Sequence, residues 1–212
     1  MLCSIDLFVG YAKIIEPVHE GVAISASRSS IYFYGFVHDI IYCIMKIQIV
    51  LHNIRSCYNV GAILRTAEGF GVERVVFSGY TPRVHDASLL PHLRDKLDRE
   101  IHKTALGAED MLDIYSCDDI MLELNNLRKN DWQILGLENN IDVSPLYKLG
   151  SAELAQALSS RVVLVLGEEV NGINNSLYDI IDLFAEIPMK GQKESFNVSV
   201  AAGIAIFALA NI

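Results

Sequence analysis

The sequence predicts an α/β fold, a mostly parallel sheet flanked by helices, and three observations predict it. From Lys46 onward, apolar runs of strand length alternate with stretches whose apolar residues recur at helical spacing, the order expected of strand–helix–strand units. Of the 212 residues, 51% are hydrophobic and only 20% charged, which supplies a core for one domain of ordinary size. Three polar, mostly glycine-bearing loops each follow a strand run, and ligands of open α/β sheets collect beyond the carboxyl ends of strands.

The strand runs are "KIQIVL" (46–51), "RVVFSG" (74–79), "WQILGL" (132–137), "RVVLVLG" (161–167) and "DLFAEIP" (182–188). Between the first two, "NVGAILRTAEGF" sets Ile63, Leu64, Ala67 and Phe70 on one helical face. "DDIMLELNNLRK" opens with acids that suit a helix N-terminus and repeats Ile120, Leu124 and Leu127 at spacings of four and three. The final helix, "NVSVAAGIAIFALA", is apolar on every side, which predicts burial. Residues 1–44 show mixed polarity, a "SASRSS" stretch and no such alternation, and Met45 immediately precedes the first strand run. The chain therefore divides into an N-terminal extension, 1–44, and a domain, 45–212, with a start at Met45 as the alternative to an extension.

Composition excludes several classes. A net charge of −9 argues against bulk electrostatic binding of nucleic acid, though not against a local basic patch. The cysteines, Cys3, Cys43, Cys57 and Cys117, form no CxxC pair and have no histidine at zinc-ligand spacing, so no metal site is expected and a reduced, cytoplasmic chain is. The longest apolar stretch, from Ile31 to Leu51, is broken by His38, Asp39 and Lys46, and no membrane span or export signal is predicted. A phosphate loop, a GxSxG elbow, an HExxH helix and a GxGxxG fingerprint are all missing; the last omission removes a nicotinamide-dependent oxidoreductase.

Chemistry is then left to the three loops. In "HNIRSCYNVGAILRTAEGFG", Asn59 is suited to cap the helix and Arg65 follows six residues later, a pattern that a capped helix with a solvated arginine also explains. In "LGEEVNG", Gly167 permits close approach to the backbone while Glu168 and Glu169 place carboxylates at a strand end; a turn with surface acids accounts for it equally well. In "IPMKGQKESFNVS", Ser195 or Asn197 can cap the last helix. Capping needs one such residue, so Ser195, Asn197 and Ser199 together leave polar groups for another partner, a bound ligand among them.

Taken in order, "NVGAILRTAEGFGVERVVFSGYTP", "KTALGAE", "LVLGEEVNGI" and "IPMKGQKESFNVSVAAGIAIFAL" resemble the SpoU-type (TrmH-like) branch of the SPOUT methyltransferases, over about residues 46–210. The resemblance implies a trefoil knot in the C-terminal part of the sheet, a rare exception to unthreaded chains. It implies S-adenosylmethionine as cofactor, a ribose 2′-hydroxyl of tRNA or rRNA as acceptor, and a homodimer with the active site at the subunit interface. Cofactor contacts are implied for Leu137, Gly167, Ile187, Met189 and Phe196, and a catalytic set for Asn59, Arg65, Glu169, Ser195 and Asn197. Phe196 stands where leucine is more common, which bears on adenine packing more than on transfer.

A ribose hydroxyl is a poor nucleophile, so its transfer chemistry needs proton removal and in-line placement. The family assigns the activation to the arginine at position 65. Because a guanidinium stays protonated, with a pKa above about 12, Arg65 is better suited to orient the 2′-oxygen and stabilise developing alkoxide. An inactive RNA-binding relative or a base-nitrogen methyltransferase are the alternatives; the presence of Asn59, Arg65 and Asn197 speaks against the first, and the two motifs "NVGAILRTAEGFG" and "SFNVSVA" against the second. Further RNA contact is expected from Arg83, Arg94, Lys96, Arg99 and Lys103, although Asp95, Asp98 and Glu100 interleave them as on an ordinary solvated helix.

Overall fold

A computed structural model describes residues 8–9, 12–13, 45–139 and 141–212. Phe8–Val9 (β1) pairs antiparallel with Ala12–Lys13 (β2). The reading of residues 1–44 as an extension otherwise lies outside the described residues.

From Lys46 the chain builds one seven-stranded sheet in which every pairing is parallel. Its strands are Lys46–His52 (β3), Arg74–Ser78 (β4), Ile114–Cys117 (β5), Gln133–Leu137 (β6), Leu146–Lys148 (β7), Arg161–Leu166 (β8) and Leu183–Glu186 (β9). Their order is β5-β4-β3-β8-β6-β9-β7. Strands covered on both faces have no use for polar alternation, which is why β3, β4 and β8 read as near-continuous apolar runs. All five predicted strands are present, with ends shifted by one or two residues.

Successive side chains of a strand point to opposite faces, so each central strand serves two cores. Ile47, Ile49 and Leu51 meet the helices Cys57–Gly69 (α1), Pro91–Ala105 (α2) and Val198–Ala210 (α5) on one side. Val50, Val76, Val163 and Val165 meet Leu124 and Leu127 of Ile120–Lys129 (α3), Trp132, and the 3-10 turn Asn175–Ile180 on the other. A short helix, Ala152–Ala157 (α4), adds Leu154 to the first core.

Two close relationships shape the first layer. A Cβ on Gly61 would lie 2.3 Å from both the Ile101 carbonyl and the Thr104 hydroxyl, so only glycine lets α1 and α2 approach this closely. Thr104 then donates to the Tyr58 carbonyl at 2.9 Å, fastening α2 to the first turn of α1.

Two sequence expectations are corrected here. Phe70 does not join the buried face of α1: it ends the helix, remains 41% exposed and meets Phe207 edge-on at 6.0 Å. The last helix is not buried all round: Ala202, Ala205, Ile206 and Leu209 are buried in the core and Val198 and Ala201 pack at its edge, while Val200, Ile204 and Phe207 form an exposed stripe at helical spacing. Among the described residues no helix is long and apolar enough to cross a membrane.

Candidate active site

The carboxyl ends of β3, β6, β8 and β9 bring together loops far apart in sequence. After β3 the chain turns through Asn53, whose φ of 62° is left-handed, and enters α1 through Ser56. Ser56 is the cap: it has extended backbone and its hydroxyl accepts from the Asn59 N–H at 3.3 Å. The expectation that Asn59 caps this helix is therefore corrected. With the cap supplied one turn earlier, the Asn59 side chain is released to face other loops.

It uses both ends of its amide. The Asn59 nitrogen donates to Glu169 at 3.0 Å, and the oxygen accepts from the Asn197 side chain at 3.2 Å. Glu169 also accepts from the backbone N–H groups of Arg55 (3.2 Å) and Ser56 (3.4 Å). Burial disfavours its charge, yet the donors from Arg55, its own backbone, Asn59 and Ser56 prevail and hold the carboxyl below the usual carboxylate range. Asn197 in turn caps α5, accepting from the Ser199 N–H (2.9 Å) and hydroxyl (2.6 Å). Of the two candidate caps for that helix, Asn197 is the one used.

Beside this chain of contacts lies a cavity, lined by Leu137, Gly167, Ile187, Ser195, Phe196 and Val198 among others. Its floor is tied by groups that sequence reasoning did not single out. Asn139 clamps Ile187, donating to its carbonyl at 2.8 Å and accepting from its N–H at 3.1 Å. Glu138 accepts from the Ile173 N–H at 2.8 Å, and Glu168 and Gly172 exchange two backbone bonds of 3.0 and 2.9 Å. A Cβ at Gly167 would fall 2.3 Å from the Gly172 backbone, so that turn closes only over glycine.

Four of the five residues expected to touch a cofactor, Leu137, Gly167, Ile187 and Phe196, line this cavity together with Ser195 and Glu169. Met189 does not; it borders a second, more open depression formed by residues 188–193 and 195–197. Arg65 is exposed on α1, outside the cavity lining, and its side chain makes no hydrogen bond or ion pair to a described residue. Arg83 pairs with Asp118 at 3.2 Å and Lys103 stands 5.7 Å from the Tyr58 ring centre. Among the described residues no group of acids, histidines and cysteines is arranged for a metal.

The donor set fits S-adenosylmethionine. Leu137, Leu166, Ile187, Phe196 and Val198 offer apolar walls to an adenosyl group, and Gly167 presents bare backbone beside them. Glu138, Glu168 and Glu169 also line the cavity, a negative surround suited to a cationic sulfur centre.

A model of the SpoU rRNA Methylase family matches residues 46–207. The 23S rRNA (guanosine-2′-O-)-methyltransferase RlmB of Xylella fastidiosa strain 9a5c is 31% identical over 194 residues, covering 89% of this chain and 69% of that protein. Its counterpart in Pseudomonas aeruginosa is 27% identical over 91% and 70%. Two solved structures share the fold. An AdoMet-bound rRNA methyltransferase of Sinorhizobium meliloti superposes with a TM-score of 0.62 at 20% identity, over 77% of this chain and 55% of that one, so the chain spans about half of its length. The A. aeolicus TrmH/SpoU tRNA modifying enzyme superposes at 0.61 with 21% identity, over 78% and 74%. With its motifs, its parallel sheet and a family match that begins at β3 and runs into α5, the chain belongs to the SpoU rRNA methylase family.

Proposed function

We propose that this chain transfers the methyl group of S-adenosylmethionine to a ribose 2′-hydroxyl of RNA, with ribosomal RNA as the substrate class and the cytoplasm as its compartment. The observation that carries the reading is the chain of contacts from Asn197 through Asn59 to Glu169 at the mouth of the cavity. The rRNA preference follows the RlmB relatives, which are named for a guanosine of 23S rRNA.

When bound, the cofactor supplies an electrophilic methyl group on a positively charged sulfur. Leu137, Gly167, Ile187 and Phe196 hold it, with Met189 contributing from the adjoining loop. Asn59 and Glu169 fix the loop around the acceptor site, and Ser195 and Asn197 join that loop to the cofactor. Arg65 grips the 2′-oxygen and the neighbouring phosphate through its planar donor fork and stabilises charge as the hydroxyl proton passes to that phosphate.

The homodimer belongs to this reading. Val200, Ile204 and Phe207 expose an apolar stripe on α5, and Arg65 lies outside the cavity of its own chain. A second copy seated on the stripe buries it and brings an Arg65 to a cavity that lacks one. The trefoil knot likewise accords with the meeting of the segments that follow β6, β8 and β9 around one cavity.

The test is incubation of the purified full chain with tritiated S-adenosylmethionine and total RNA from a methyltransferase-deficient strain, followed by alkaline hydrolysis of the separated rRNA and tRNA. Label in an alkali-resistant dinucleotide from rRNA is the expected result. Label in tRNA moves the substrate class, label on a base overturns ribose transfer, and cofactor binding without label removes the activity.

A further inference from the structure

The cavity mouth has a second face, built on the side chains of Arg55 and Tyr80, which the proposed function does not use. Arg55, in the loop after β3, is exposed and lies with its guanidinium 5.7 Å from the centre of the Tyr80 ring. Its side chain donates to the Tyr80 hydroxyl at 3.5 Å and to the Glu168 carboxylate, and its backbone N–H donates to Glu169. Arg55 is thus joined to both carboxylates of the cavity rim while one side of it faces solvent.

Tyr80 is 50% exposed, yet the turn that carries it is tied down by buried side chains on both sides. Its N–H donates to the Asn53 side-chain oxygen at 3.2 Å, and the Asn53 nitrogen faces His52 Nε2 at 3.1 Å. That orientation makes Nε2 an acceptor and puts the imidazole proton on Nδ1, which meets the Ser78 hydroxyl at 2.8 Å. Thr81 fastens the other side of the turn, accepting from the Ile54 N–H at 3.1 Å and donating to the Leu51 carbonyl at 2.8 Å. Gly79 has φ of 62°, and a Cβ there would sit 1.8 Å from Asn53 Oδ1. An exposed aromatic ring on so rigid a mount buries little area for the fold.

We infer that Tyr80 and Arg55 form a stacking step that receives an unpaired base of the RNA beside the methyl-transfer site, a substrate-positioning role assigned to neither residue by the family motifs. Unpaired bases are recognised by stacking on aromatic rings and on guanidinium planes. A ribose brought to the cavity mouth carries its own base and adjoins its neighbours', and the step stands at that mouth through Glu168. Because a ring face accepts any base, the step supplies grip and register, not base identity. The Glu168 carboxylate holds the guanidinium beside the Tyr80 ring, and Asn171 steadies Glu168 by donating to it at 2.8 Å.

This inference rests on RNA methyl transfer as the function. Its test uses a short unstructured oligoribonucleotide carrying one 2-aminopurine, whose fluorescence falls on stacking, together with methyl transfer to rRNA. The wild-type chain should quench the probe, Tyr80→Phe should keep the quench because the ring remains, and Tyr80→Ala should lose it. Tyr80→Ala should raise KM for rRNA about ten-fold, the scale of one base–aromatic stack, with kcat and cofactor affinity unchanged. Arg55→Lys keeps the charge but not the plane and should also raise KM. Absence of quenching by wild type, or an unchanged quench and KM in Tyr80→Ala, overturns the step. If the chain quenches the probe and binds cofactor but transfers no methyl group, the function fails while the step stands.

Discussion

Asn197 donates its side-chain N–H to the side-chain oxygen of Asn59 at 3.2 Å, across 138 positions of sequence. Each asparagine is also committed elsewhere, Asn59 to Glu169 and Asn197 to the cap of α5. The contact therefore fixes which end of the Asn59 amide faces the glutamate. Replacing Asn59 by Asp removes the donor and sets two carboxylates side by side. Methyl transfer by Asn59→Asp should fall about a hundred-fold, the scale of a small misplacement of reacting groups, in single-turnover assays. Calorimetry should find cofactor affinity nearly unchanged.

Arg65→Lys preserves the charge and removes the fork. If the arginine orients oxygen and phosphate together, the variant loses most transfer activity while cofactor binding stays near wild type. Retention of most activity would show that a point charge is sufficient.

The crossing of α1 and α2 should not tolerate a methyl group. In Gly61→Ala the added carbon meets a backbone carbonyl at 2.3 Å, and overpacking of that kind costs about 1–3 kcal/mol. Chemical denaturation should show the loss, and a midpoint equal to wild type would mean that the helices part freely.

Burial lowers the pKa of His52 below its ordinary value, keeping it neutral in the fold. Below about pH 6.5 the unfolded histidine takes a proton that the folded one refuses, so the unfolded state binds more protons and stability falls with pH. His85 is shifted upward, chiefly by its hydrogen bond to Asp110, and works in the opposite sense. Comparing thermal midpoints of wild type and His52→Gln from pH 8 to pH 5 isolates the first effect: the variant should lose less on acidification.

Phe207→Glu places a charge on the exposed stripe of α5 without touching its core-facing residues. Sedimentation should report a dimer for wild type and a monomer for the variant, with methyl transfer lost alongside assembly. A wild-type monomer would remove the dimeric site.

Sequence patterning reaches the interior of this fold and stops at its margins. β3, β4 and β8 are buried on both faces, so their apolar runs are unbroken and legible. β5, β7 and α4 are short, with 4, 3 and 6 residues, and β5 and β7 lie at the sheet edges, where one-sided burial leaves a weak pattern. Helix α2 was visible only as a run of charges, because two of its residues alone, Ile101 and Ala105, are buried. In the site, Ser56 and Asn59 are both good caps three residues apart, and only backbone conformation decides between them. Asn139 and Glu138 carry no local signature, since their partners Ile187 and Ile173 are 48 and 35 positions away. The outward stripe of α5 was hidden for the converse reason: an all-apolar helix does not announce which side finds a partner.

The insertion of β8 between β3 and β6 has a consequence for the order of events as the chain acquires its shape. β3, β4 and β5 pair as successive neighbours with modest loops between them, whereas β8 must close a loop of more than one hundred residues to reach β3. The cavity thus rests on contacts of long sequence separation, a class of contact that slows folding. A chain that stops before Arg161 contains β3 to β7 but lacks Gly167, Ile187 and Phe196, so it carries strands of the sheet without most of the lining of the cavity.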